Sequence, residues 1–449
     1  MQVPAQEILR SAARYLDLIG GKEMNREEIA ALISDTVEAY ERHVNRGFIA
    51  YRKSVTEAGQ FAAVEWTGSG SLLRDALGRE YIDCLGGYGV FSAGVCHPRI
   101  VKAVTDQAGR MALSSQELLE PWRAGLAKLL ADLTPGDLAC SFFINNGTDA
   151  IEGAIKLARL FTGRNTFLST LGGFHGKSMG SLSLMGKASF RAPFSGGLQD
   201  VRFAPYGDAE ALEAEFSKAE AVGTPFAAFV VEPVQGEAGA VVPPPGYLRC
   251  ARELCSRHGT LLIADEVQTG MGRTGALWGV DHDAITPDIM CLGKALGGGV
   301  MPLAAFISTP AIWECLVLNP MIHSTTSGGN PLACAAGIAT IAVTLEEDLP
   351  GQAASKGAWL LKELERLCER YPRTLVNARG KGLLIGLEFP TDEVGYRCAA
   401  GLFRRGVLVA GTYAKARTLR VEPALTTPSG QLEEVVSRLE DTLQELTAI

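Results

Sequence analysis

Apolar positions along this chain recur in two ways. Short unbroken runs, Ser141-Phe142-Phe143-Ile144, Phe226 to Val231 and Leu261-Leu262-Ile263-Ala264, read as strands, the second buried and the third, too short for a helix, a buried strand of a parallel sheet. Longer stretches keep a helical period instead. Ala150, Ile151, Ala154, Ile155 and Ala158 share one face of a helix that begins after Asn145-Asn146-Gly147-Thr148-Asp149. Ile29, Leu32, Ile33, Val37 and Tyr40 do the same through His43, behind Asn25 and Glu28 in capping-box spacing. Residues 63–82 alternate and turn at Gly68, Gly70 and Gly78, which predicts a small antiparallel sheet. The Ala- and Gly-rich stretch Leu332 to Leu345 reads as a buried helix, being too short to span a bilayer. Beyond it the pattern predicts a helix over 353–371, a strand over 383–389, a helix over 395–405, short strands around Val407 and Leu419, and a last helix over 428–446.

The alternation of buried strands and helices places the chain in the α/β class. Length alone is compatible with two to four domains, or with one large domain and a smaller companion. The change of pattern gives an N-terminal segment 1–75, a large domain 76–345 and a C-terminal α/β domain 346–449. A helix at 25–43 either covers an active-site entrance or a partner subunit, or packs on its own domain, which the pattern slightly favours.

A hydrophobic fraction of 47% with 20% charged residues is that of an ordinary globular protein and argues against disorder. The net charge of -8 comes without a Lys/Arg stripe, which argues against nucleic acid and anionic membranes as partners. Ten cysteines include no C-x-x-C pair, and the nearest two, Cys250 and Cys255, fit neither a zinc site nor a disulfide framework. Reduced thiols in a cytoplasmic protein, with no metal, are expected. Residues 1–20 show no basic region followed by an apolar core and cleavage site, so no secretory signal is expected.

The chemistry concentrates between Leu261 and Gly299. A strand ends in Asp265 and Glu266, a loop with Gly270, Gly272 and Gly275 follows, and Lys294 stands alone among small residues in Leu292-Gly293-Lys294-Ala295-Leu296-Gly297-Gly298-Gly299. Ligands of open α/β sheets sit at strand ends. A buried acid and a lysine in a glycine-lined pocket are what pyridoxal 5'-phosphate (PLP) requires: the lysine binds the aldehyde as a Schiff base and the acid keeps the pyridine nitrogen protonated. Two other readings compete. Gly172-Gly173-Phe174-His175-Gly176-Lys177-Ser178 looks like a nucleotide phosphate loop, but such a loop needs glycine where Leu171 stands. The stretch Ser178 to Met185 also lacks an amphipathic repeat, so no receiving helix is expected. Glu232 and Glu237 suggest the acid pair of a glycosidase, without a second acidic cluster or aromatic platform to support it.

Asp265-Glu266-Val267-Gln268-Thr269-Gly270 together with Gly293-Lys294-Ala295-Leu296-Gly297-Gly298-Gly299 resembles the class III (ornithine aminotransferase-like) PLP aminotransferases, and the likeness runs through nearly the whole chain. Within the family it most resembles the putrescine aminotransferases. The resemblance implies fold type I, a large domain with a mostly parallel sheet flanked by helices plus a smaller α/β domain. It assigns Lys294 as the catalytic amine and Asp265 as the partner of the ring nitrogen. Gly147 and Thr148 would take the PLP phosphate, a helix N-terminus being suited to an anion. Phe174 would stack on the ring beside His175, and Gln268 would bond the ring hydroxyl. Thr326, in His323-Ser324-Thr325-Thr326-Ser327-Gly328-Gly329-Asn330-Pro331, would reach the phosphate of a neighbouring subunit's PLP, implying a homodimer, or a dimer of dimers, with shared sites. Tyr88, in the glycine-rich loop Gly86 to Gly89, would line the substrate pocket. Arg420 would hold the α-carboxylate of glutamate and 2-oxoglutarate, with Glu237 pairing with it when that carboxylate is absent.

Two departures touch the substrate. Lys177 stands where many relatives carry arginine, and Ser327 where an aromatic is frequent. The Gly-Lys-Ser form resembles the diamine branch, as do Glu65-Trp66, Ser115-Gln116-Glu117-Leu118-Leu119 and Val409-Ala410-Gly411-Thr412. The expected reaction takes putrescine and 2-oxoglutarate to 4-aminobutanal, which cyclises to 1-pyrroline, and glutamate. An ω-amino acid aminotransferase of the ornithine, acetylornithine or 4-aminobutyrate type is the nearest alternative. An aminomutase or racemase, or a non-catalytic nucleotide-binding protein on the same sheet, is more distant.

Overall fold

The structure, a computed structural model, describes residues 4–51, 63–197, 200–412 and 417–447. It separates into two compact units, one of residues 1–67 and 73–80, the other of residues 68–72 and 81–449.

In the smaller unit the capping box is formed as expected. The Asn25 side chain accepts from the amides of Glu27 and Glu28 at 2.9 and 3.0 Å, and Glu28 accepts from the Asn25 amide at 2.8 Å. The helix Arg26–Ala39 then runs on through a π-helical turn, Tyr40–Asn45, into Arg46–Tyr51, farther than the apolar repeat predicted. A preceding helix, Ala5–Ile19, was not foreseen; Arg14 on it pairs with Asp35 at 2.8 Å. Its apolar residues Ile8, Leu9, Leu16 and Ile19 are exposed, so only its own period could have announced it.

Three short strands occupy the stretch expected to be sheet: β1 (Glu65–Ser69), β2 (Leu72–Asp75) and β3 (Glu80–Asp83). In the larger unit, seven strands form the principal sheet: β4 (Cys140–Ile144), β5 (Thr166–Thr170), β6 (Val201–Ala204), β7 (Phe226–Val231), β8 (Leu261–Asp265), β9 (Ile289–Leu292) and β10 (Ala304–Ser308). Their order is β4-β10-β9-β8-β7-β5-β6. All neighbours are parallel except β10, which runs against both β4 and β9. This is the mostly parallel α/β sheet that the sequence predicts.

Every residue of β7 and β8 is buried, because both faces of the sheet are covered. Alternate side chains enter different cores: Leu262 and Ala264 join the cluster of Leu126, Phe229, Leu248 and Leu292, while Leu261 and Ile263 join that of Ile151, Ile155, Val230 and Phe306. Gly153 lets the helix Gly147–Thr162 press on the sheet, since a Cβ there would collide with the Phe306 ring.

A second, antiparallel sheet holds β11 (Asn377–Lys381), β12 (Leu384–Glu388), β14 (Ala410–Gly411) and β15 (Thr418–Val421) in the order β11-β12-β15-β14. Between them in sequence, β13 (Val407–Leu408) pairs in parallel with Ile82 and Asp83. A third core, including Leu360, Leu364, Ile385, Leu387, Leu432 and Leu439, lies under the helices Leu349–Arg370, Asp392–Arg404 and Ser429–Thr447. Two of these helices start earlier than their apolar repeats indicate. Asp348 caps the first through the Gly351 amide at 3.2 Å, and Thr391 the second through Val394 at 3.3 Å; polar caps carry no hydrophobic period. The polar strand β11 was not foreseen. One expectation is corrected outright: a short helix, Met179–Ser183, stands where none was expected, with Gly180, Ser181, Leu182 and Ser183 buried. Small hydroxyl residues fill its inner side, so a hydrophobic repeat never arises. The sequence at Leu171 still rules out the nucleotide loop.

Candidate active site

The strand β8 delivers Asp265 at its C-terminal end, only 5% exposed. Nδ1 of the buried His175 donates to its Oδ2 at 2.7 Å, and the Val267 amide donates to Oδ1 at 3.1 Å. Burial pulls the His175 pKa down, but the hydrogen bond and charge of Asp265, with Glu232 beyond, outweigh it and raise it. Through that hydrogen bond His175 fixes the orientation of Asp265 at the end of the strand.

The adjacent strand β9 ends at Leu292, and Gly293 turns the chain so that Lys294 begins a short 3-10 helix. Lys294 has φ +44°, a left-handed conformation that costs a non-glycine residue about 1–3 kcal/mol and is held by its surroundings. Desolvation lowers the pKa of its amine; Glu422, Arg420, Glu237 and Asp265 are the charges that act on it. Those charges bring the sequence-identified lysine, acids and arginine into one electrostatic neighbourhood.

Gly147 and Thr148 open the helix Gly147–Thr162, capped by the Asn146 side chain. A Cβ on Gly293 would lie 3.5 Å from Gly147 Cα, so this helix start adjoins the turn that carries Lys294. Thr148 Oγ1 lies 2.7 and 2.6 Å from the hydroxyls of Ser178 and Ser181. Glu152 in turn accepts from Ser178 Oγ and the amides of Gly180 and Ser181. The amide of Phe174 donates to Glu232 at 2.9 Å, as does that of Gly236 at 3.1 Å. Burial, opposed by those bonds and by His175, pushes Glu232 up to about 7. Glu232 is therefore a loop-holding acid rather than half of a glycosidase pair. The Lys177 ammonium lies 5.9 Å from the Phe174 ring centre and 5.3 Å from that of Phe190.

Across the pocket, β15 presents Arg420, 1% exposed. Its Nη1 donates to Glu237 Oε1 at 2.7 Å, its Nε lies 3.4 Å from Glu422 Oε2, and its guanidinium carbon is 5.3 Å from the centre of the Tyr88 ring. Nη2 is buried without a hydrogen-bond partner among the described residues, the mark of a donor fit for a carboxylate. Burial works to lower the Arg420 pKa, but Glu422 and Glu237 raise it. Tyr88 is set beneath it because the amide of Glu422 donates to Cys84 O at 2.8 Å and that of Leu425 to Ser92 O at 2.9 Å.

Gln268 does not point its amide nitrogen outward. Nε2 donates to both carboxylate oxygens of Glu422 at 3.0 Å, and Oε1 lies 3.5 Å from Arg420 Nη1. Thr326 stands apart from this group, exposed, its carbonyl accepting from Gln116 Nε2.

The structure thus gathers Lys294, Asp265, His175, Gln268, Glu237, Arg420 and Tyr88, places Gly147, Thr148 and Phe174 at the rim of the same region, and leaves Thr326 outside. Glu422 and Arg273 belong to the cluster but were not singled out from the sequence. Arg273, fully buried, donates to the carbonyls of Leu383 and Pro423 and to Ser92 Oγ, and its Nε lies 3.8 Å from Glu422 Oε1. The period-2 rule offered a signal for Glu422: two residues beyond Arg420, it projects from the same face of the extended chain. The residues fit PLP: a strand-end carboxylate supported by histidine, a desolvated amine, and amide donors at a helix start. They would hold the ring nitrogen, the aldehyde and the phosphate.

The family model for aminotransferase class III matches residues 54–443. Among solved structures, the chain is similar to ornithine aminotransferase from Toxoplasma gondii, with a TM-score of 0.84 and 28% identity over 100% of both chains. It is also similar to an amine transaminase from an uncultivated Pseudomonas species in PLP-bound form, with a TM-score of 0.80 and 30% identity over 87% of this chain and 97% of that one. Acetylornithine aminotransferase from Elizabethkingia anophelis gives 0.78 and 31% over 92% and 99%.

Proposed function

Because this chain belongs to the class III aminotransferase family, whose cofactor is PLP, we propose that it moves the terminal amino group of putrescine or a related diamine to 2-oxoglutarate, giving the aminoaldehyde and glutamate. The buried Glu237–Arg420 pair at 2.7 Å is the observation that supports this reading most. A transaminase must admit two unlike substrates in turn. A diamine brings no carboxylate, so Glu237 stays on Arg420 and the guanidinium is never buried unpaired, which would cost several kcal/mol. The α-carboxylate of 2-oxoglutarate then displaces Glu237 and takes the bidentate position, including the donor at Nη2.

PLP, when bound, supplies the electron sink that acidifies the carbon bearing the amine. Lys294 Nζ, its basicity trimmed by desolvation, would take up that proton and hand it on to the cofactor side rather than back to the same carbon. Asp265, oriented by His175, would be the acid that partners the ring nitrogen. Gly147 and Thr148 would take the phosphate, Phe174 would cover the ring and Tyr88 would wall the substrate side. Two copies of the chain share sites through Thr326, as the exposed position of that residue allows.

The ornithine and acetylornithine enzymes among the similar structures favour a second reading, an ω-amino acid donor. Single-turnover reactions of the PLP-loaded protein with putrescine, longer diamines, ornithine, acetylornithine and 4-aminobutyrate separate the two. The diamines are expected to convert the cofactor fastest; faster conversion by ornithine or acetylornithine, with putrescine inert, would defeat the proposal.

A further inference from the structure

We propose that Glu422 is a specificity-determining residue, a second and immovable counter-charge on Arg420 that weakens the hold of the pocket on carboxylates and keeps it matched to donors that lack one. The inference rests on Arg420 being the carboxylate receptor, and it goes beyond the exchange of Glu237 described above.

Glu422 is fully buried and fixed from several sides. Its amide bonds Cys84 O at 2.8 Å, both carboxylate oxygens accept from Gln268 Nε2 at 3.0 Å, and Arg273 Nε stands 3.8 Å away. The glycine loop is cut to fit it: a Cβ on Gly89 would come within 2.6 Å of Oε1, and one on Gly86 would strike its carbonyl oxygen. Glu237 meets Arg420 end-on at 2.7 Å, where an incoming carboxylate competes for the same nitrogen. Glu422 instead faces Nε at 3.4 Å, on the opposite edge of the guanidinium, and a ligand at Nη1 and Nη2 does not displace it.

The charge balance follows. With a diamine bound, the two guanidinium charges of Arg420 and Arg273 face the two carboxylates of Glu237 and Glu422. Once Glu237 yields to a keto acid, Glu422 remains to offset one of them, while Asp83 also acts on Arg273, so the carboxylate meets one unit less of positive charge than it would without Glu422. Both acids favour the charged form of Arg420, Glu422 through its charge and Glu237 through its charge and its hydrogen bond, and both favour the charged amine of Lys294.

The test measures binding of glutarate, which has the two carboxylates of 2-oxoglutarate and no keto group, to the PLP-loaded protein by calorimetry, together with the putrescine half-reaction. Glu422→Gln is expected to tighten glutarate roughly tenfold, a difference of about 1.4 kcal/mol, and to raise the KM for putrescine against a largely retained kcat. Glu422→Asp, which keeps the charge but draws it back by one methylene, is expected to tighten glutarate about threefold and serves if the glutamine variant fails to fold. Unchanged or weaker glutarate binding in a variant that retains its cofactor absorbance overturns the role of Glu422. Failure of the unaltered protein to bind glutarate, or equal binding by Arg420→Ala, overturns the assignment of Arg420 itself, and the role of Glu422 with it.

Discussion

At the scale of single residues, the lysine and the acid were legible because strand ends and glycine turns are local features. Asp265 closes an apolar run and Lys294 stands among glycines and small residues, and no tertiary knowledge is needed to see either. Substituting Lys294→Ala is expected to lower transamination by at least about 10²–10⁴-fold and to remove the visible absorbance that borohydride bleaches, checked by spectroscopy of the purified protein. Glu422 and Arg273 were illegible because their significance lies in what they meet across the pocket. Glu266 is a different case, a carboxylate that serves the fold. It accepts from Thr269 Oγ1 and from the amides of Gly279 and Val280 at 2.9 and 2.8 Å, yet burial pushes its pKa up to about 7. A folded-state value above the ordinary carboxylate range means that the native state binds the proton more tightly than the unfolded chain. Stability contributed this way is present at low pH and lost as pH rises from about 4.5 toward 7, on the order of 3 kcal/mol in all. Denaturant midpoints measured between pH 5 and 8 are expected to fall less steeply in Glu266→Gln than in the unaltered protein, from a lower starting value because the amide cannot accept all three bonds.

At the scale of elements, runs of unbroken apolar residues locate β4, β7 and β8, whereas β6, β9 and β10 are not among the strands predicted, and neither is β5. Its Thr166, Ser169 and Thr170 are buried polar residues; Ser169 Oγ donates to Leu184 O at 2.7 Å and Thr166 Oγ1 to Asp200 at 2.9 Å. Such satisfied hydroxyls make an interior strand look like a loop when only hydrophobicity is read. The helix Gly147–Thr162 was readable from its period, whereas the closeness of its packing was not, since it depends on Gly153 opposite Phe306. Gly153→Ala is expected to cost roughly 1–3 kcal/mol in thermal unfolding through overpacking, with substrate preference unchanged. Gly147→Ala places a methyl about 2.7 Å from a Val267 side-chain carbon. It is expected to weaken PLP by about tenfold or more, measured by fluorescence titration of the apoprotein.

At the scale of the whole molecule, the three-part division drawn from sequence remains a proposal, while the principal sheet and the separate antiparallel sheet are plain in the larger unit. No helix among the described residues is long and apolar enough to cross a membrane. Exposed apolar side chains cluster in sequence at Met111, Leu113, Leu118 and Leu119 and again at Val317, Leu318, Met321 and Ile322; Gln116 ties the first stretch to Thr326, just beyond the second. If sites are shared as proposed, Lys294→Ala and Thr326→Glu chains, each inactive alone, are expected to regain about a quarter of full activity when refolded together, because half the dimers are hybrids and half the sites in each hybrid are intact. Absence of recovery in verified hybrids would argue for independent sites.

The pairing of β8 with β7 and β9 carries one more implication. Side chains alternate between two cores there, so a single inserted or deleted residue in 261–265 would swap every one of them to the other face and displace the terminal acid by about 3.3 Å, beyond reach of its histidine. Length variation in natural or engineered versions of this chain should therefore be tolerated in surface loops and forbidden in that pentapeptide, where counting residues and tuning the vitamin's electronics are the same requirement.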